Sequence, residues 1–204
     1  MQKVTRRAIQ AAGTRDVIVD TAGRLFAADG YVQTTMDAIA AGSGVTVQTV
    51  YNSVGNKAAL LSAVLDRAAA GPGTQAGVLD LMRERTRQAA DLPALVAVLA
   101  DWFVEVHPRT AGINAVIARA AALDEAAARL ERDRGQQRLR RYGEAAAAAR
   151  ERGGLRSGMS DAEAAAAIWS LGHPQVYRAM VHDAGWPVPA YREWVARALA
   201  AALA

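Results

Sequence analysis

A chain of 204 residues, 52% of them hydrophobic, with 24 basic and 20 acidic side chains and no cysteine, can bury one sizeable core or a small and a larger one. Disulfides and thiolate metal sites are excluded, and no stretch approaches the roughly 18 uncharged apolar residues of a membrane span. The opening MQKVTRRAIQAAGTRD is basic but lacks the apolar run of a secretory signal, so a cytoplasmic protein without membrane attachment is expected. The net charge of +4 is concentrated in an arm carrying Lys3, Arg6, Arg7 and Arg15 and in an arginine-rich stretch over 129–156. The second of these reads as a solvated helix face with neighbouring acids, so bulk charge alone does not name a partner.

In chain order, residues 15–29 place Ile18, Ala22, Leu25 and Phe26 at helical spacing, and Gly30 supplies a stop. After an extended Tyr-Val-Gln, Thr34 or Thr35 can cap a second helix whose Met36, Ile39 and Ala40 share a face, with Gly42 and Gly44 bracketing a tight turn. Thr46 is a good N-cap for a short third helix to about Ser53, and Lys57 to Ala70 form a fourth. The Gly-Pro-Gly at 71–73 is the strongest punctuation, so the domains are expected to be 1–70 and 71–204. Beyond it the pattern is helical throughout: 75–90, 93–106, 109–122, 124–152, 161–172, 174–184 and 188–203. Pro93, Pro108, Pro174 and Pro189 all stand where a helix could begin. The fold class is therefore all-α, with no alternating strand signal.

Two short helices joined by a glycine-containing turn form a helix-turn-helix arrangement, whose second helix must dock one side and offer the other to a major groove. With Val50 pointing inward and about 100° per residue, Val54 and Thr46 fall within about 40° of it and Val47 within about 60°. Gln48 and Asn52 fall opposite, flanked by Thr49 and Tyr51. Gln and Asn can pair bidentately with adenine, and Val47 or the Thr49 methyl could meet a thymine methyl. Any solvent-facing helix also presents a polar arc, so periodicity leaves an ordinary bundle helix open.

Leu25-Phe26, Gly30-Tyr31, Thr34-Thr35, Ile39-Ala40, Gly44-Val45-Thr46, Thr49-Val50-Tyr51 and Lys57 stand in one register over about fifty residues. In this the chain resembles the N-terminal DNA-binding domain of the TetR family of transcriptional repressors. The resemblance implies an N-terminal three-helix DNA-binding domain followed by a larger helical domain that binds an effector and dimerises. It implies phosphate contacts from Thr35, Tyr51 and Lys57, and places Thr46, Val47, Gln48 and Thr49 where the third helix meets bases or phosphates. Lys57 also has a physical reason to hold phosphate, because its charge joins the free N–H groups at a helix start. Ser43, Gln48 and Asn52-Ser53-Val54 depart from the family pattern. Ser53 stands where a tyrosine or histidine commonly touches the DNA backbone, and its reach is shorter. The basic arm could add minor-groove or phosphate contacts or be a plain tail.

The implied partners are double-stranded operator DNA, a second copy of the chain through its C-terminal helices, and a small effector, by default apolar or aromatic. One short reading helix contacts too few bases alone, which argues for two copies reading a palindrome. The last helices, from Ile168 and Trp169 to Trp194, Val195, Leu199 and Leu203, are the natural interface, or equally a core within one chain. Pocket candidates are Met82, Leu99, Trp102, Phe103, Ile117 and Trp169, with His107, Asn114 and His173 as polar anchors. No cofactor or metal is expected, and catalysis has no motif to rest on: His107, His173 and His182 form no HExxH, and His173 and His182 on one continuous helix would face opposite ways. A small all-helical enzyme and a non-specific architectural DNA-binding protein remain the alternatives.

Overall fold

The computed structural model describes residues 6–71, 78–152 and 154–204. They form ten α-helices and one π-helical turn, with no strand among the described residues. They divide into two compact units, Met1–Ala68 with Gly112–Arg132, and Ala69–Ala111 with Asp133–Ala204.

The first unit holds α1 (Arg6–Gln33), α2 (Met36–Ser43), α3 (Val47–Val54) and most of α4 (Lys57–Ala70). Their apolar stripes meet in one core around Ile18, Ala22, Phe26, Ile39, Val50, Leu60 and Leu61, each without solvent exposure. Burial of each large side chain contributes roughly 1.5–3 kcal/mol. Where the sequence suggests a stop at Gly30, the backbone kinks instead: Gly30 takes φ 78° and ψ 168°, and a further helical turn follows. The kink swings Tyr31 inward onto Phe26, with ring centres 5.7 Å apart. The Thr34 hydroxyl donates to the Gly30 carbonyl at 2.8 Å, a second hold on the bend. Gly42 lies inside α2 rather than in the turn, and α1 passes so close that a Cβ there would come within 2.9 Å of Thr21 Cγ2.

α6 (Leu92–Ala121) corrects the expectation of two helices at 93–106 and 109–122, since it runs unbroken with Pro108 inside. The Glu105–Arg109 ion pair at 3.1 Å spans the proline, and the Thr110 hydroxyl donates to the Val106 carbonyl at 2.9 Å. These bonds support the turn where the proline N–H is missing. The end of α6 and the start of α7 (Glu125–Glu151) belong to the first unit, where Ile113, Val116, Ile117, Ala120 and Ala127 join its core. Asp124 begins α7 by accepting the Ala127 N–H at 2.8 Å.

The second unit contains α5 (Val78–Gln88), the first part of α6, the rest of α7, α8 (Asp161–Leu171), α9 (Pro174–Tyr177) and α10 (Val188–Leu203). A Ser160–Glu163 capping box starts α8. The segment expected to be one helix over 174–184 is α9 followed by a π-helical turn, Arg178–Asp183. Ile168, Val195, Leu199 and Leu203, named as interface or core, are fully buried in this unit's own core. Pro72 and Gly73 of the proposed boundary, Lys3, and the side chains of Arg6 and Arg7 lie outside the described residues. Among the described residues no helix is long and apolar enough to cross a membrane.

Candidate functional site

α2 and α3 are joined by a turn with chemically specified ends. Thr35 caps α2 by accepting the Ala38 N–H at 3.0 Å and is otherwise exposed. Gly44 ends α2 at φ 67° and ψ 29°, left-handed geometry that glycine adopts without strain. Thr46 caps α3 through the Thr49 N–H at 3.2 Å, and its hydroxyl lies 2.9 Å from that of Thr49. The Thr46 oxygen is thus largely engaged in holding the start of α3.

α3 is docked by Val50, with Val47 and Val54 half-buried on the same core. Gln48, Tyr51 and Asn52 are exposed on the other side, while Thr49 and Ser53 are half-buried on the flanks. Gln48 Nε2 donates to Asn52 Oδ1 at 2.9 Å, so the two outward amides hold each other one turn apart. Gln48 Oε1 and the Asn52 amide N–H groups remain for a partner, an acceptor beside donors.

Lys57 opens α4 beside Asn56, whose side chain accepts the Ala59 N–H at 2.9 Å. The Lys57 ammonium lies 4.4 Å from the centre of the Tyr31 ring and donates to the Val32 carbonyl at 3.2 Å. Burial lowers its pKa, and the nearby charge of Asp124 opposes that shift. The same two causes, burial first, raise the Tyr31 phenol. Tyr31 and Asp124 are absent from the sequence-based set. A contact between a residue just past a kink and another 26 positions on leaves no periodic signal. On the far end of α4, Arg67 pairs with Asp16 and Asp20, both at 2.8 Å.

In the second unit, Leu99, Trp102, Phe103 and His107 are buried along α6, with Met82 packed against the same core. His107 stacks on Phe103 at 5.7 Å between ring centres and packs on Tyr177 at 5.3 Å. Tyr177 meets Tyr191 edge-on at 5.1 Å, and Phe103 meets Tyr142 at 6.2 Å. His107 has its pKa pushed down to about 4, chiefly by burial, against the pull of its bond to the Gly172 carbonyl at 3.2 Å. Trp169 and His173 pack edge-on at 4.8 Å, and burial followed by the charge of Arg138 lowers His173.

Of the other pocket candidates, Ile117 is buried in the first unit's core and Asn114 is half-buried in the same unit. The expected separation of His173 and His182 on one helix does not arise, since His173 is the N-cap of α9 and His182 lies in the π-helical turn. His182 instead packs on Tyr177 at 5.7 Å. Among the described residues no three His, Asp or Glu side chains are grouped as a metal would require. Tyr142, Tyr177 and Tyr191 complete a ring cluster that candidate selection from sequence missed, because its members come from four separate segments.

Comparison with known proteins gives this geometry a context. Residues 18–64 match the family model described as bacterial regulatory proteins, tetR family. No curated protein matches the chain. Among solved structures, the complex of SmeT with triclosan is 25% identical with a TM-score of 0.70, over 93% of this chain and 91% of that one. SmeT is described as the repressor of the Stenotrophomonas maltophilia multidrug efflux pump SmeDEF. NalD, the secondary repressor of the MexAB-OprM multidrug efflux pump in Pseudomonas aeruginosa, is 18% identical with a TM-score of 0.71, over 95% and 97%. The fatty acid degradation regulator FadR from Bacillus halodurans is 20% identical with a TM-score of 0.68, over 91% and 93%. With residues 18–64 matched to the tetR family of bacterial regulatory proteins and the fold shared with SmeT along nine-tenths of the chain, the helix-turn-helix is that of a DNA-binding transcriptional regulator.

Proposed function

We propose that the chain is a cytoplasmic repressor that binds a palindromic operator as a homodimer and leaves it when a small organic effector occupies the second unit. The observation that carries this reading is α3 itself: Val50 anchors it at zero exposure while Gln48, Tyr51 and Asn52 face outward without a charge among them. Uncharged amides and hydroxyls of short reach are what base edges in a major groove require. Gln48, Thr49 and Asn52 read bases, Val47 offers its methyls, and Thr46 and Ser53 flank them near the backbone. Thr35, Tyr51 and Lys57 hold phosphates. The pose of Lys57 over Tyr31 supports this role by presenting its charge beside the start of α4.

Dimerisation follows from half-site arithmetic, since two copies about 34–36 Å apart read successive turns of one duplex face. The C-terminal helices α8 and α10 supply the interface through half-buried residues such as Trp169, Leu171 and Trp194. The effector reading is supported by SmeT, whose structure in complex with triclosan shares the fold. An effector that prefers the conformation unable to bind DNA must release it by linkage.

Selection of bound duplexes from a randomised library tests the assignment. A single inverted repeat should emerge, and Gln48→Ala should broaden base preference at one position of each half-site. Lys57→Ala should weaken all sequences alike and reduce the salt slope by about 1. Recovery of unrelated sequences with equal affinity would instead favour a non-specific architectural protein.

A further inference from the structure

Among the buried polar atoms of the second unit that meet no hydrogen-bonding group, His107 Nδ1 and the Tyr191 hydroxyl lie around one aromatic ring. His107, 5% exposed, places Nε2 3.2 Å from the Gly172 carbonyl. A carbonyl only accepts, so Nε2 carries the hydrogen, and on a neutral imidazole Nδ1 is left as a bare acceptor. That Nδ1 has no partner. Tyr191, with no exposure, has a hydroxyl that is also without a partner. Both rings pack on the same ring, Tyr177, at 5.3 and 5.1 Å between centres. Buried polar groups in folded proteins are nearly always bonded, so a pair around one aromatic ring marks a place built to meet something else.

The surroundings narrow what that something is. The walls are aromatic: Phe103 stacks on His107 and meets Tyr142 edge-on, and the Tyr142 and Tyr177 phenols both act on Tyr191. Arg138 is a cation felt at His107, His173 and Tyr142 alike, joined by Arg141 at Tyr142 and by His173 at His107. No carboxylate contributes at those groups or at Tyr177 and Tyr191. An ammonium ligand would meet only positive potential. A carboxylate would suit Arg138 but has no proton for His107 Nδ1 and would face its lone pair. A hydroxyl on an aromatic ring satisfies both atoms, as donor to the imidazole and acceptor from the tyrosine.

We propose that the second unit recognises a hydroxyl-bearing aromatic molecule, a phenol, whose O–H donates to His107 Nδ1 and whose oxygen accepts from the Tyr191 hydroxyl between the rings of Phe103, Tyr142 and Tyr177. This names the ligand class of the effector domain proposed above and rests on that reading for its regulatory meaning.

Calorimetry on the full chain without DNA, at neutral pH, tests it with four probes of one shape: β-naphthol, naphthalene, β-naphthoate and β-naphthylmethylamine. β-Naphthol should bind roughly tenfold more tightly than the other three, the difference one well-formed buried hydrogen bond makes. Tyr191→Phe removes a hydroxyl with no protein partner, so the fold should be retained while the preference for naphthol over naphthalene drops roughly three- to tenfold. His107→Phe, which keeps a flat ring beside Phe103, should reduce the same preference. Equal binding of naphthol and naphthalene, tighter binding of the naphthoate or the amine, or a preference untouched by Tyr191→Phe would each overturn the proposal. A parallel operator-binding measurement separates the two readings. Naphthol that binds with these dependences yet leaves operator affinity unchanged supports the phenol site and removes the effector role.

Discussion

His107 shows how one buried residue couples the core to solution conditions. In the folded chain its imidazole is held neutral, with a pKa of about 4, while the unfolded chain offers the ordinary value near 6.5. Between those limits the unfolded state binds more protons, so stability must fall as pH drops through that window. The full effect approaches about 3 kcal/mol below pH 4. His173, lowered in the same direction, adds to the slope. Denaturant unfolding from pH 7 to 4 should show this loss, and His107→Gln, which keeps a donor for Gly172 without a titrating ring, should flatten it. Identical slopes for the two proteins would show that other groups carry the acid sensitivity. At the same scale, the inward and outward residues of α3 are legible from sequence, because Val50 sets the inward direction with Val47 and Val54 beside it and the amides fall opposite, although Thr46, which the same spacing turns inward, is exposed. The engagement of Gln48 with Asn52 was not, since a side-chain bond between two exposed amides depends on rotamers that periodicity does not encode.

Among the elements, α1 is shaped by one residue. Gly30 sits at φ 78° and ψ 168°, and a Cβ built there would meet nothing within 4 Å. The cost of Gly30→Ala is therefore backbone strain alone, about 1–3 kcal/mol, with no steric contribution to confuse it. Gly13, also on α1 and equally open around its Cβ position, is the control. Gly13→Ala should stabilise by about 0.5–1 kcal/mol, and paired unfolding curves give both values. If Gly30→Ala were neutral, the kink would be a free choice of the chain rather than a glycine-dependent one. The sequence marks the position of the kink but not its nature, because a glycine after an apolar stripe is also the usual C-terminal stop. Pro108 misled in the opposite sense. Its missing N–H argues for a helix start, and only the Glu105–Arg109 pair and the Thr110 hydroxyl around it show how the helix continues.

At the scale of the molecule, the all-helical plan and the helix-turn-helix were readable, since each rests on local spacing and turn residues. The partition of the apolar residues between two cores was not. α6 carries one long apolar stripe, and periodicity cannot tell that Phe103 and His107 serve one core while Ile113 and Ile117 serve another. The pocket candidates Asn114 and Ile117 accordingly stand in the first unit, and the others in the second. The full burial of Leu199 and Leu203 likewise leaves fewer residues of α10 for a second copy than the sequence suggests. The dimer proposal thus rests on a thinner surface. Sedimentation at micromolar concentration should still give twice the 21.5 kDa chain mass. A monomer there would require half-site binding by one copy and would remove the palindrome from the proposed function.

The core beneath α3 closes only with Gly112–Arg132, contributed from the middle of the chain. A gene fragment ending after α4 would express a reading head with part of its floor missing. Transplanting this operator preference into another regulator therefore requires two exchanges, the first 68 residues and the segment Gly112–Arg132, and a hybrid built from the first exchange alone should misfold before it misreads.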